Sequence, residues 1–448
     1  MMNIKDKARE FAIKAHMGQV RKNEKDKPMI IHSISVGNLL EEYGYDDNVI
    51  AAGYLHDVVE DTKYTLEDIE KFFGSDVASL VKGNTELDKS LSWEERKQHT
   101  IDEVKTLPLR NKVIVCADKI NNLEDLMLKF QKTGIRDFSS FNRGEEKQKW
   151  YYESIYNSLV YNEDKNNPIF KRLREVLDVV FENKEDLYLK DTIFKDNSNY
   201  YLELKKLHAQ KEELLRLKKL CSLDRPFVIE LSGTPRTGKT TTINNLYDFF
   251  TKGGFSVSIV EEFTTSKYYK EEIKPIISKM TTGNANVYVI EQVYNQLLEA
   301  IDSDKDIIII DRSLNDRQVW NYRCYLKGNL EKSKYLAIRD GYEKISRDLI
   351  DYLVITYADA LTSLKRDYNN SLALEPRRFL NINNINEYND SLKVLENLFE
   401  RSVNNFSIID TSLMETNEVS VSVVREIMPV MRKKYIKAFS KMYNLDNE

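Results

Sequence analysis

Phe227 to Thr240 reads FVIELSGTPRTGKT, and the pattern of the chain changes there. An apolar run, Phe227 to Leu231, suits a buried strand. It passes directly into a loop with the spacing Gly-x-x-x-x-Gly-Lys-Ser/Thr, and a helix is expected from about Lys239. Downstream, strands are predicted at Val257–Val260 and Ile307–Ile310, with a helix near Tyr288–Ala300 between them, and further strands at Tyr352–Thr356 and Phe406–Ile409. Strand and helix in alternation imply βαβ units on a parallel sheet. Upstream, from Lys5 to about Lys184, the apolar positions recur at helical spacing: Phe11, Ala12 and Ala15, then Ile34, Val36, Leu39 and Leu40, then Ile50, Ala51, Leu55 and Val58. No strand alternation is seen there. The expected fold is therefore multidomain: an all-α domain over 1–184, a helical connector over 185–224, and an α/β domain with a parallel sheet over 225–448. Within the connector, Leu204, Leu207, Leu214, Leu215 and Leu217 form an amphipathic stripe that Lys211 and Lys218 interrupt, which favours a packed helix over a coiled coil and leaves oligomerisation through it open.

Length supports the division, since 448 residues exceed one core of ordinary size. With 67 Lys and Arg against 72 Asp and Glu the net charge is −5, which gives no general attraction to nucleic acid. The three cysteines, Cys116, Cys221 and Cys324, are widely spaced with no CxxC pair, so neither a disulfide framework nor a cysteine zinc site is expected. No uninterrupted apolar run is long enough for a bilayer span. A cytoplasmic protein with no nucleic acid or membrane partner is the expectation; that its partners are small-molecule nucleotides follows from the motifs below.

The N-terminal half carries a metal-binding pattern. His32, His56, Asp57 and Asp118 offer imidazole nitrogen and carboxylate oxygen, a mixture suited to Mn²⁺, Fe²⁺ or Zn²⁺. A lone histidine such as His16, His99 or His208 is more often a surface or satisfied core residue; the combination carries the weight. In HDVVEDT (His56–Thr62), Glu60 lies four residues after His56 and Asp61 four after Asp57, so a helix would place two more carboxylates beside the pair. Asn122, one turn beyond Asp118 in CADKINNL, suits a supporting or substrate contact.

Those residues, in the runs FAIKAHMGQVRK, PMIIH, IAAGYLHDVVEDT, FGSDVASLVKGNTEL and KVIVCADKINNL, resemble the hydrolase domain of RelA/SpoT-type alarmone enzymes and their small single-domain relatives, within the HD phosphohydrolase superfamily. The resemblance covers roughly 1–184. It implies His32, His56, Asp57 and Asp118 as ligands of Mn²⁺, Glu60 and Asp61 as catalytic carboxylates, and Arg21, Lys22 and Asn122 as substrate-binding residues. The implied reaction removes the 3′-pyrophosphate of ppGpp or pppGpp. The sequence departs from the family at Met29 and Ser33, around the first histidine, and at Asn121 to Asp125, where the family tends to have HNMRT. Another 3′- or 2′-phosphorylated nucleotide therefore stays open as substrate.

In the second half, Gly233, Thr234, Arg236, Thr237, Gly238, Lys239 and Thr240 form the expected phosphate-binding loop for ATP: backbone N–H groups for the β-phosphate, Lys239 for the β- and γ-oxygens, and Thr240 for Mg²⁺. Asp311, following four isoleucines, is placed to hold Mg²⁺ through water. The loop together with Asp311-Arg312-Ser313 resembles deoxynucleoside and thymidylate kinases. That resemblance implies Glu262, with Glu261 as competitor, as base or hydroxyl contact, Arg312 as a substrate-binding arginine, and a lid around Lys365, Arg366, Arg377 and Arg378. Three readings stand side by side: a hydrolase fused to a kinase, a hydrolase gated by an NTP sensor, and a signalling protein that binds ligand without turning it over.

Overall fold

The computed structural model describes residues 2–21, 24–83, 91–139, 141, 143–182, 198–371 and 380–445. The chain is mostly helical and separates into two compact units, Met1–Ser222 with Ile436–Glu448, and Leu223–Tyr435. Among the described residues no helix is long and apolar enough to cross a membrane.

The first unit is a helical assembly around the helices Ile30–Glu42, Asp47–Leu55 and Leu109–Thr133. Asp46 caps the second of these, accepting from the backbone N–H groups of Asn48 and Val49 at 3.1 Å each. That helix packs against Ile30–Glu42 with almost no space between them. A Cβ at Gly37 would lie 2.2 Å from Cδ1 of Tyr54, and one at Gly53 would lie 2.5 Å from Cδ1 of Leu40. The Tyr54 ring is buried and its hydroxyl donates to Asn38 Oδ1 at 2.7 Å, so it cannot swing aside.

Two features of this unit differ from the sequence expectation. A short antiparallel hairpin, β1 (Val20–Arg21) and β2 (Glu24–Pro28), interrupts the helices. Its second strand reads EKDKP and lacks the apolar alternation by which a strand is recognised. The Ser198–Leu220 helix belongs to this unit rather than to a separate connector. It packs on Leu109–Thr133, with Leu207, Leu214 and Leu217 buried and Lys132 Nζ bonded to Glu213 at 3.0 Å. The C-terminal residues also belong here: Phe439 is buried, and Arg9 lies over the Tyr443 ring at 5.5 Å.

The second unit is built on a five-stranded parallel sheet in the order β4-β5-β3-β6-β7, with β3 (Phe227–Gly233), β4 (Val257–Val260), β5 (Ile307–Asp311), β6 (Tyr352–Tyr357) and β7 (Phe406–Asp410). The central β3 is buried throughout, as a strand covered on both faces should be. Its Glu230 is fully buried, and its carboxylate accepts from the backbone N–H groups of Ser313 at 2.9 Å and of Asn315 and Asp316 at 3.1 Å each. The N-terminus of the Leu314–Leu326 helix, which has no side-chain cap of its own, is thereby satisfied from the strand beneath it.

The Gly37–Tyr54 contact sets the first unit's core geometry. Gly37→Ala is expected to lower stability by about 1–3 kcal/mol, the usual cost of overpacking, despite the ~1 kcal/mol gain in helix propensity. Urea unfolding of the full chain measures it; an unchanged first transition would show that the two helices have room to separate.

Candidate metal centre and Gly-rich loop

Two helices and the break after a third bring the expected ligands together. His32 lies in the first turn of Ile30–Glu42, His56 and Asp57 fall at the break between Asp47–Leu55 and Val58–Asp61, and Asp118 is mid-way along Leu109–Thr133. His32 Nε2 and His56 Nε2 are 3.3 Å apart. Asp118 Oδ1 is 3.2 Å from the first and 3.8 Å from the second. Asp57 approaches the same two nitrogens at 3.6 and 3.2 Å. Donor atoms bound to one ion at about 2.1 Å lie roughly 3–3.5 Å apart, so the two imidazoles and Asp118, whose ligand atoms all lie within 4.8 Å of one another, form a group able to hold a divalent ion, with Asp57 beside them.

The far side of each ring supports this. His56 Nδ1 is 2.9 Å from Gly53 O, and His32 Nδ1 is 2.6 Å from Asn121 Oδ1. Both partners accept, so each Nδ1 carries the proton and each Nε2 presents a lone pair to the cluster. Burial works against charge on His32, but its hydrogen bond to Asp118 and the nearby Asp57 raise its pKa. Burial likewise opposes ionisation of Asp118, yet Lys119, 2.6 Å away, and His32 hold its carboxyl well below the usual range.

The cluster opens onto a cavity of about 450 Å³ whose lining includes Arg21, Glu60, Lys97, Lys119, Asn122 and Tyr151. Asp61 is not among the lining residues; it is exposed, and its carbonyl accepts from Gln19 at 2.9 Å. Asn122 donates to Asp118 Oδ1 at 2.5 Å, which places it on a ligand as well as in the cavity wall. Lys22 lies outside the described residues. Arg21 is 3.0 Å from Asp125, which also faces Lys27 at 3.7 Å. Burial raises the Asp125 pKa, but Lys27 and Arg21 outweigh it and the carboxyl is held low. Asn121, the neighbour of Asn122, escapes a reading of the sequence because its partner is 89 residues away along the chain.

In the second unit, the loop between β3 and the Lys239–Thr251 helix needs its glycines. Gly233 has φ +125°, and a Cβ there would lie 1.8 Å from Thr356 O; Gly238 has φ +89°. Lys239 folds back, its Nζ donating to Gly233 O at 3.1 Å and Thr234 O at 2.7 Å. Burial lowers its pKa to about 7, assisted by Arg312. Thr234 and Thr237 are buried, with Thr234 Oγ1 on Asn389 at 2.7 Å and Thr237 Oγ1 on Thr356 at 2.7 Å; Thr240 is exposed at the helix start. Arg236, at φ +63°, donates through Nε to the buried Asp367 at 2.6 Å.

Asp311 pairs in register with Leu231, and its Oδ1 is buried with no hydrogen-bond partner among the described residues. Arg312, at φ +59°, bonds Asp316 and Gly233 O at 2.9 Å each and faces Glu262 at 3.5 Å. Asp316 is a functional neighbour that the sequence reading leaves out, although its position four residues after Arg312 marks a helical pair. Glu262 and Arg312 share a cavity of about 680 Å³ that Glu261 does not line. Lys365 is exposed, and Arg366 is spent on the carbonyls of Thr411 at 2.7 Å and Met414 at 3.2 Å. Arg377 and Arg378 lie outside the described residues.

The family model for the HD domain matches residues 8–138. The guanosine-3′,5′-bis(diphosphate) 3′-pyrophosphohydrolase MESH1 of Drosophila melanogaster is 42% identical over 121 residues, which is 27% of this chain and 67% of that protein. A probable guanosine-3′,5′-bis(diphosphate) 3′-pyrophosphohydrolase of Synechocystis sp. is 38% identical over 122 residues, 26% of this chain but only 16% of that protein. A solved structure described as a metazoan ortholog of SpoT that hydrolyzes ppGpp is 31% identical, with 39% of this chain and 94% of that chain covered and a TM-score of 0.33. The N-terminal HD domain resembles these hydrolases.

Asn121 fixes the His32 ring from behind. Asn121→Leu is expected to weaken divalent-metal affinity by roughly 10–100-fold, the usual cost of removing a ligand's supporting partner. Competition of the full chain against a chelating dye reads it; unaltered affinity would mean that the ring is held by packing alone.

Proposed function

The chain belongs to the HD-domain family, and from that premise we propose that its first unit is a metal-dependent pyrophosphohydrolase of guanosine-3′,5′-bis(diphosphate) and similar nucleotides. The observation that carries the reading is the convergence of His32 Nε2, His56 Nε2 and Asp118 Oδ1, with Asp57 beside them, on a cavity that also holds Glu60 and basic side chains. When bound, a divalent ion such as Mn²⁺ on these four side chains supplies polarisation of a phosphoryl oxygen and a water acidic enough to ionise near neutral pH.

The residues divide the remaining work. Glu60, lining the cavity, takes a proton from the attacking water, while Asp61, on the same short helix, stands outside the cavity wall. The water oxygen bonds to the phosphorus attached to the ribose 3′-oxygen, and the phosphorus–oxygen bond to the ribose breaks. The ribose oxygen leaves with a proton, and pyrophosphate departs carrying the water's oxygen. Lys97 and Arg21 offset phosphate charge, Arg21 in competition with Asp125, and Lys22 joins them in the proposed substrate-binding set. Asn122 steadies Asp118.

The second unit is proposed to bind ATP at Gly233–Thr240 and to transfer its γ-phosphoryl group. A strand running into a glycine loop and a helix N-terminus supports the reading, as does a buried lysine aimed at the loop carbonyls. The unpartnered Asp311 oxygen fits a Mg²⁺-bound water, with Thr240 as the other Mg²⁺ contact. Glu262 is the proposed base for an acceptor hydroxyl, and Arg312 the cation at the transferred group. The hydroxyl oxygen bonds to the γ-phosphorus, the bond to the β–γ bridging oxygen breaks, and ADP leaves.

Pyrophosphate and nucleoside diphosphate released from ppGpp with Mn²⁺ test the first activity, beside a panel of other 3′- and 2′-phosphorylated nucleotides. Asp57→Ala is expected to lower turnover by more than 100-fold, beyond the roughly 10–100-fold cost of losing only a supporting partner. No metal-dependent turnover on any nucleotide of the panel would sink the proposal. Lys239→Ala is expected to abolish ATP binding while basal hydrolysis persists; if ATP alters the hydrolase rate and that effect alone vanishes in Lys239→Ala, the second unit is a sensor rather than a kinase.

A further inference from the structure

Arg21 stands on the β1–β2 hairpin and lines the cavity of the metal centre. Its Nη2 is 3.0 Å from Asp125, yet neither Nη2 nor Nε has a hydrogen-bond partner among the described residues, so Asp125 attracts those atoms by charge without a fitted hydrogen bond. Asp125 and Glu124 form an acidic pair on the Leu109–Thr133 helix, and the cations that answer the pair come from other elements. Lys27, on the hairpin, faces Asp125 at 3.7 Å, and Arg172, on the Pro168–Glu182 helix, reaches Glu124 at 2.6 Å. Arg216, on the Ser198–Leu220 helix, is 3.0 Å from Glu124 and 3.9 Å from Asp125, so it serves both carboxylates. One turn earlier the same helix reaches toward the hairpin again: buried Glu213 holds Lys132 at 3.0 Å, and Lys132 is 3.5 Å from Glu24 of β2. Arg172 and Arg216 lie beyond residues 8–138, the extent of the HD match, and neither they nor the acidic pair line the cavity.

We propose that the Ser198–Leu220 helix governs how tightly the metal-site cavity holds its phosphorylated substrate, with Arg216 as a positioning residue that acts on Arg21 through Asp125. The inference deepens, and rests on, the reading of the first unit as a pyrophosphohydrolase. Asp125 draws on both Arg216 and Arg21, and the share that it takes from Arg21 is lost to a substrate phosphate. Burial opposes its ionisation, but Lys27, Arg21, His32 and Arg216 hold the Asp125 carboxyl low, so it stands as a full negative charge near neutral pH. With Arg216 in place, the acidic pair is answered from behind and the Arg21 guanidinium is left to the cavity. Without Arg216, Asp125 leans on Arg21 and Lys27, and one positive charge is removed from the surroundings of a site that must receive a polyphosphate. Because Arg216 does not line the cavity, its effect falls on substrate affinity and not on the bond-breaking step.

The test uses the full chain with Mn²⁺ and, as substrate, ppGpp or whichever nucleotide of the panel the unaltered chain turns over. Arg216→Gln is expected to raise KM about 3–10-fold, the scale of one partly exposed charge contact, while kcat and divalent-metal affinity stay within about twofold. Arg216→Lys, which keeps the charge, is expected to recover most of the loss. The deciding measurement is a double-mutant cycle: in an Asp125→Asn background, Arg216→Gln is expected to change KM by less than about twofold, because the carboxylate through which it acts is gone. A KM unchanged in Arg216→Gln, or a rise of the same size with and without the Asp125 carboxylate, overturns the inference. A fall in kcat and metal affinity together in Arg216→Gln, unrelieved by Arg216→Lys, marks the helix as plain structural support and overturns it equally. If the unaltered chain turns over neither ppGpp nor any other nucleotide of the panel, the pyrophosphohydrolase reading itself falls, and the inference with it.

Discussion

Two glycines, Gly37 against the Tyr54 ring and Gly53 against Leu40, hold the first unit's chemistry in place. Because the Ile30–Glu42 and Asp47–Leu55 helices meet at Gly37 and Gly53, their backbones approach far more closely than side-chain-bearing residues allow. His32, near the start of one helix, and His56, at the end of the other, therefore come within 3.3 Å through their Nε2 atoms. Two lone pairs at that distance repel in the absence of a shared cation or proton, so the arrangement spends packing stability on holding ligands together. Gly53 serves twice: it makes room for Leu40, and its carbonyl fixes the His56 ring. Local stability is surrendered here to a site, which is where sequences commonly break their own folding rules.

Much of that site is legible in the amino-acid sequence. His32, His56, Asp57 and Asp118 are the residue types that a divalent ion requires, and they meet. The parallel sheet is legible for a related reason: a strand covered on both faces must be apolar along its length, as Ile307 to Ile310 are. What stays hidden depends on partners remote in sequence. Asn121 cannot be told from Asn122 without knowing that His32 stands opposite it, and the charged β2 strand carries no alternation to betray it. Glu230, within an otherwise apolar strand, reads as an irregularity; it is the cap of a helix more than eighty residues later. Asp61 shows the converse, since four-residue spacing from Asp57 does not bring it into the cavity wall once the helix breaks at Asp57.

In the second unit the same economy recurs at the carboxyl ends of the strands. Arg312 has a left-handed backbone that a non-glycine residue adopts only at a cost, and its side chain is fixed by Asp316 and by the carbonyl of Gly233. Asp316 is itself buried, anchored by Ser232 at 2.9 Å and the Tyr388 hydroxyl at 2.7 Å. Burial opposes its charge, but Arg312 and Arg317 hold its pKa down to about 2. Glu230 beneath them pins the turn from the other side. Strand, turn and helix thus share one network of buried charge, and the glycine loop is bonded into it through Gly233.

The first unit is assembled from two segments far apart in the sequence, Met1–Ser222 and Ile436–Glu448. A ribosome makes the first of those pieces before residues 223–435 and the second after them. Phe439 and the Arg9–Tyr443 contact are therefore unavailable to the nascent helices until the intervening 223–435 segment has been made. The order of events during biosynthesis is set accordingly: the inserted unit has all its own residues before the unit whose segments flank it is complete.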